Sequence, residues 1–245
     1  MKYGKKAVRK KQQELNKRST KWGKKIAITI LQVVLYMILI VGIIGASGAV
    51  GIFKGVIASA PDMSDIDVSP ANFSTFVYDN EGNQISKLVA ADSNRIMVSS
   101  EKIPQDLKDA FVAIEDERFY SHNGIDIKGL VRAAVTTVTS GFNDIQGAST
   151  ITQQLIKNSV FPNFIHEDGF LDSLKRKIQE QYLAIELEKI MDKDTILVNY
   201  LNTINLGQNT LGVQSASLRY FNKDVSELTL SESAVIAAIT QSPSN

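Results

Sequence analysis

The sequence predicts a mainly α-helical domain with a short β-hairpin at its entrance, preceded by one transmembrane helix. Three observations carry that prediction. The first 25 residues hold eleven Lys/Arg against one acid, Glu14, giving a net +10, while the rest of the chain carries −9. Ile26–Phe53 then runs without a charged residue. Beyond it, apolar residues recur at helical spacing, with capping residues at the breaks.

Composition narrows the function classes. With 15 Gly and 5 Pro in 245 residues and no Cys, the chain is neither collagen-like nor disulfide-stapled. No cysteine means no zinc ribbon or iron–sulfur site, and two histidines are too few for most zinc enzymes. The lack of thiols suits an extracytoplasmic setting.

At about 1.5 Å per residue, Ile26–Phe53 is longer than the ~30 Å hydrocarbon core and spans it with tilt. Gly42, Gly45, Gly48 and Gly51 recur every third residue, as tolerated small residues do. Ala58-Ser59-Ala60 mimics a signal-peptidase site, but the apolar run exceeds a typical signal core, so the anchor is read as retained. Lys24 and Lys25 abut its N-terminal end, and the positive-inside rule places residues 1–25 in the cytoplasm. Attraction to anionic lipid then explains the basic arm, and a nucleic-acid role is set aside. The expected organisation is a basic tail over 1–25, a transmembrane helix over 26–53, a linker over 54–72 and an outer domain over 73–245.

Within the outer domain, Phe73–Tyr78 and Gln84–Val89, joined by Asp79-Asn-Glu-Gly-Asn83, predict the hairpin. Pro104 suits a first helical turn, with Leu107, Phe111 and Ile114 as the apolar stripe. Asp126 is expected to cap a helix through Ser140, with Gly141 as its stop. Thr150-Ile-Thr-Gln153 has a capping-box pattern, and Ser149 is an equally good cap. A long helix is expected over Leu171–Met191, with Leu171, Leu174, Ile178, Tyr182 and Ile185 as one stripe. Asp192 caps a helix ending near Gly207, and Thr229-Leu-Ser-Glu232 caps another.

Three segments could carry chemistry. Glu115 stands at the border of its helix's apolar stripe, a place suited to general-base work. Asp116 to Gly124 follow it, where acidic residues are commonly solvated and His122 has a structural reading. Gly147-Ala-Ser-Thr-Ile-Thr-Gln-Gln154 offers N–H groups, hydroxyls and amides at a helix start, with Lys157 one turn further; such a pattern serves an anion or merely caps a helix. Arg176 and Lys177 precede Glu180 by four and three residues on one face. That trio fits either an ion pair or a pyrophosphate-binding edge.

Together the segments are more specific. Glu115-Asp-Glu-Arg-Phe-Tyr-Ser-His-Asn-Gly124 resembles the first signature of the family 51 peptidoglycan glycosyltransferases, found in class A penicillin-binding proteins and monofunctional relatives. Gly147–Gln154 resembles the second, Arg176–Glu180 the third and Lys193–Asn202 the fourth, in the family's order and spacing. The resemblance covers residues 70–245. It implies a lysozyme-like helical head with a smaller hydrophobic lobe seated in the membrane. It implies lipid II and the growing glycan chain as substrates, and cell-wall synthesis or division proteins as partners. Glu115 would be the base that deprotonates the acceptor's 4-hydroxyl, and Glu180 would organise the donor pyrophosphate. The implied cofactor is a divalent cation, Mg²⁺ or Mn²⁺, outside any dedicated protein cage. Lys157, Arg176 and Lys177 would balance the pyrophosphate charge, and Asp116, Phe119, His122, Ser149, Thr150, Gln153, Gln154 and Asn202 would complete the substrate site. The chain departs from the family pattern over Phe164–Ser173, where Glu167, Asp168 and Asp172 stand in place of a further basic residue. By the same resemblance the family's domain continues past residue 245 to a fifth, arginine-containing motif.

Two rivals differ in kind: a lysozyme-like cell-wall hydrolase, which also uses glutamates in a glycan cleft, and a non-catalytic membrane scaffold. Hydrolysis has no use for the Lys157/Arg176/Lys177 cluster. The charge asymmetry makes a topological prediction: a reporter fused after residue 60 is expected to read extracytoplasmic, and a cytoplasmic signal would reverse the assignment.

Overall fold

The computed structural model describes residues 4–16, 18–89, 94–141, 147–162 and 169–241. They fall into two compact units, Met1–Gly55 and Val56–Asn245. The first contains helix α1 (Lys5–Asn16) and most of α2 (Arg18–Ala58). Helix α2 runs further than the uncharged stretch in both directions, and by length and composition it can cross a membrane. Its apolar side chains from Ile26 to Phe53 are largely exposed.

The second unit opens on the hairpin, β1 (Thr75–Tyr78) paired antiparallel with β2 (Gln84–Leu88). Its turn is built by Asp79, whose Oδ1 accepts from the Glu81 and Asn83 amides at 2.9 and 2.7 Å. Among the described residues seven α-helices follow: α3 (Gln105–Glu115), α4 (Ile127–Thr139), α5 (Ile151–Val160), α6 (Phe170–Ile190), α7 (Lys193–Thr203), α8 (Val213–Phe221) and α9 (Leu230–Ile239). The segment expected as a linker is partly structural, since Val68 and Pro70 are buried and Met63 and Ile66 pack on the core.

Helix starts follow the side-chain chemistry. The Asp192 carboxylate accepts from the Thr195 amide, and Thr229 and Glu232 form a reciprocal capping box. Thr150, not Ser149, caps α5 by accepting from the Gln153 amide at 3.2 Å. Helix α7 stops at Thr203 rather than near Gly207, because Ile204 turns extended and residues 207–209 are all left-handed. Helix α8 was not anticipated by the pattern.

The core joins Leu107 and Phe111 of α3, Leu155 and Ile156 of α5, Leu183 and Leu187 of α6, and Leu197, Tyr200 and Leu201 of α7, all fully buried or nearly so. Each such side chain contributes about 1.5–3 kcal/mol on leaving water. Helix α6 departs from the expected stripe in its first half, while Tyr182 packs against the core. Leu171 and Leu174 are exposed, whereas Gln179, Glu180, Leu183, Ala184 and Leu187 face the core. Ile114 is likewise 40% exposed rather than buried. On α4 the outer face is a row of bare apolar side chains, Ile127, Val131, Val135 and Val138.

Gly124 is the position that tolerates least. Its φ is +82°, and a Cβ there would sit 2.6 Å from the Ala184 carbonyl carbon and oxygen of α6. Left-handed strain on a non-glycine residue costs about 1–3 kcal/mol before any overlap. Gly124→Ala is therefore expected to lower the unfolding free energy by at least about 2 kcal/mol, measurable by urea denaturation.

Candidate active site

Glu115 is the last residue of α3, half-buried, and its carboxylate is held by neutral donors from two other elements. Oε2 accepts from Gln154 Nε2 of α5 at 2.7 Å. Oε1 accepts from the Thr240 hydroxyl and, at 3.3 Å, from Gln241 Nε2, both just beyond α9. The Gln154 amide is itself oriented, because its Oε1 accepts from the buried Tyr200 hydroxyl of α7 at 3.2 Å. Burial, reinforced by the charges of Glu115 and Asp116, raises the Tyr200 phenol well above its ordinary range, so it stays a donor. A polar cavity of about 170 Å³ opens beside Glu115, lined by residues 113–118, Asp126, Gly129, Arg132 and residues 147–150.

The next residue points inward. The Asp116 carboxylate is buried, accepts from the Ile151 amide at the start of α5 at 3.0 Å, and pairs with His122 Nε2 at 2.9 Å. A carboxylate at a helix N-terminus is favoured by the dipole and its open amides. Two residues past His122, the Gly124 carbonyl accepts from the Thr150 hydroxyl at 2.8 Å and from Gln153 Nε2 at 3.1 Å. Gln153 therefore does not close the capping box suggested by its spacing. These bonds stitch the loop after Glu115 to the first turn of α5, which also carries Gln154.

The second carboxylate lies in another environment. Glu180 is fully buried and paired with Arg176, while Lys177 Nζ reaches its Oε2 at 2.7 Å and the Ser149 hydroxyl at 2.9 Å. Lys157 of α5 is half-buried; desolvation, helped by the Lys177 and Arg176 charges, holds its ammonium pKa below the ordinary value against the opposing pull of Glu180 and Glu115. Lys157 thus feels both glutamates, and three cations gather around one carboxylate. Arg176–Glu180 is thus a buried pair rather than a solvated surface one.

Of the residues expected in the site, the structure gathers Glu115, Gln154 and, around Glu180, Lys157, Arg176, Lys177 and Ser149. Others it buries. Phe119 is fully buried, stacked edge-on to Tyr120 and His122 and covered by Lys193 Nζ at 4.3 Å. Asn202 is fully buried, bonded to the Val98 amide and to the Val98 and Val198 carbonyls. Asp116, Thr150 and Gln153 are buried and His122 nearly so, with their bonds spent on the loop–helix joint. Phe119 and Asn202 support the site from the interior, while Asp116 and Thr150 also line the cavity beside Glu115. Residues 164–168 of the acidic stretch lie outside the described residues, and Asp172 is exposed. Sequence reasoning missed Thr240 and Gln241, whose local pattern is that of ordinary helix-end residues, and did not single out Tyr200 within the fourth motif.

Fold and site together define a helical domain with two unlike glutamates, one among neutral donors and one among cations. Residues 81–245 match the Transglycosylase family, and the chain belongs to that family, whose domain is lysozyme-like. It is 45% identical over 212 residues to "Penicillin-binding protein 1A" of Clostridium perfringens (strain 13 / Type A), covering 85% of this chain and 30% of that protein. Over 218 residues it is 45% identical to "Penicillin-binding protein 1A" of Clostridium botulinum (strain Langeland), covering 88% and 25%. Against "Penicillin-binding protein 1F" of Bacillus subtilis (strain 168) it is 43% identical over 171 residues, covering 70% and 22%. The matched region spans less than a third of the length of these relatives.

Beside the cavity, Asp126 does not cap α4 with its side chain; its Oδ2 takes the Arg118 guanidinium at 2.6 and 3.0 Å. Arg118 holds the Asp126 carboxyl down at about 2. A depressed folded-state value means that the pair stabilises the fold above about pH 4 and loses this as pH falls toward 2. Asp126→Asn is therefore expected to lower the urea midpoint at pH 6, with the deficit shrinking as both proteins are titrated to pH 2.

Proposed function

We propose that this domain is a peptidoglycan glycosyltransferase that polymerises lipid II and releases undecaprenyl pyrophosphate, working at the outer face of a cell membrane to which α2 anchors it. The observation that carries the reading is the contrast between Glu115 and Glu180. A carboxylate among neutral donors suits proton abstraction, and a carboxylate inside a cationic cluster suits the organisation of a charged leaving group.

In this mechanism Glu115 takes the proton of the acceptor's 4-hydroxyl. The oxygen attacks the anomeric carbon of the growing chain from the face opposite the leaving group, inverting that centre. The carbon–oxygen bond to pyrophosphate breaks, and the negative charge that develops is met by Lys157, Arg176 and Lys177. Glu180 keeps Arg176 and Lys177 in register. Among the described residues no three His, Asp or Glu side chains lie together as a metal site, and both Glu180 oxygens are engaged by cations. These donors do not fit a direct metal ligand set, so the mechanism uses no step through one. A divalent cation is proposed only as a companion of the pyrophosphate.

The exposed apolar row on α4, with Phe170 and Leu171 at the start of α6, supports a lobe that dips into the lipid from which both substrates hang. Proteins of cell-wall synthesis or division are the partners proposed. With labelled lipid II, the wild-type chain is expected to give glycan polymer rather than cleaved glycan. Glu115→Gln should reduce that rate by about 10²–10⁴-fold and leave binding of moenomycin, a phosphoglycolipid resembling the donor, intact. Glu180→Gln should weaken moenomycin binding as well. Polymerisation by Glu115→Gln at the wild-type rate would remove the base assignment.

A further inference from the structure

We infer that Thr240 is a positioning residue for Glu115, and that the donors around the carboxylate leave Oε2 as the oxygen that receives the acceptor's proton. The inference rests on the reading of Glu115 as the base.

An ionised carboxylate offers four lone-pair directions, two on each oxygen. Among the described residues, Oε1 has both filled, by the Thr240 hydroxyl and the Gln241 amide. Oε2 has one filled, by Gln154 Nε2. The direction that remains is on Oε2. The Thr240 hydroxyl has one proton and two acceptors in reach, Glu115 Oε1 and the Ala237 carbonyl at 2.8 Å. The charged oxygen is the stronger acceptor, which turns the proton toward Glu115.

Each donor stands on something rigid. Gln154 cannot swap its amide ends without turning its oxygen onto the Glu115 carboxylate, and as placed its Oε1 accepts from the Tyr200 hydroxyl. Thr240 directly follows α9, whose start is locked by the Thr229–Glu232 capping box and the Lys223–Glu232 ion pair at 2.7 Å. The middle of that helix is buried through Ile236 and Ala237. A β-branched side chain also has few rotamers to choose from. The terminal torsion of a glutamate, by contrast, is broad and soft, so the carboxylate plane needs outside support.

The step then balances as follows. The acceptor's O–H bond breaks, its proton passes to the open position of Oε2, and its electron pair forms the new bond to the anomeric carbon. The bond to pyrophosphate breaks, and that group leaves with the pair. Oε1 stays hydrogen-bonded to Thr240 before and after, so the carboxyl group keeps its orientation while its charge is lost.

The test compares Thr240→Val, which removes the hydroxyl at constant shape, with Thr240→Ser, which keeps it, both in the full chain turning over lipid II. Losing one hydrogen bond to a charged group corresponds to about tenfold or more. Thr240→Val is expected to lower kcat about tenfold with KM within about twofold, and Thr240→Ser to stay within about twofold of wild type. Both should melt at the wild-type temperature. Unchanged kcat in Thr240→Val, or an equal loss in the valine and serine variants, overturns the inference. Glu115→Gln assayed in parallel separates the two ideas. If it is inactive while Thr240→Val is unaffected, only the role of Thr240 fails; if it is fully active, the base reading itself fails.

Discussion

The site depends on the joint between the first turn of α5 and the loop that leaves α3. Asp116 sits against the Ile151 amide, while Thr150 and Gln153 grip the Gly124 carbonyl from the same turn. Breaking a buried pair by removing one partner costs about 3–5 kcal/mol, and an orphaned buried donor about 1–3 kcal/mol. The joint therefore holds in one register. That register brings Gln154 onto Glu115 and leaves Glu115, alone of three consecutive acids, between buried and exposed. Gly124 lets the loop pass against α6 where a side chain would strike backbone.

From that joint the two glutamates acquire different surroundings. Glu115 is reached by donors without charge, from α5 and from the end of α9. Glu180 is drawn into the protein by α6, whose core-facing side carries it beside Leu183, Ala184 and Leu187. A buried carboxylate persists only when paired, and Arg176 and Lys177 supply the pairing from the preceding turn. Lys157 comes from α5, the helix that also bears Gln154, so one helix serves both carboxylates.

Much of the architecture was legible along the chain. The uncharged run, the hairpin turn at Asp79 and the caps at Thr150, Asp192 and Thr229 all act through residues within a few positions of one another. The four motifs could be ordered because they stand at fixed spacings. Stripe assignment fared worse. Leu171 and Leu174 are as apolar as any core residue, yet among the described residues both stay exposed. Phe119 and Asn202 look like ligand contacts in a motif and are instead interior supports, since a motif records which residues are needed and not which way they face.

The sequence by itself determined the helical class, the long apolar helix, the hairpin and the pairing of Glu180 with Arg176 and Lys177, because periodicity, capping and charge pairing are short-range. Only the tertiary structure decided which donors meet Glu115, because Gln154, Thr240 and Gln241 lie 39, 125 and 126 residues away. Contacts at that separation are set by how α3, α5 and α9 pack against one another. The packing is driven by nondirectional burial of apolar surface, which leaves no trace in the spacing of the polar residues it brings together.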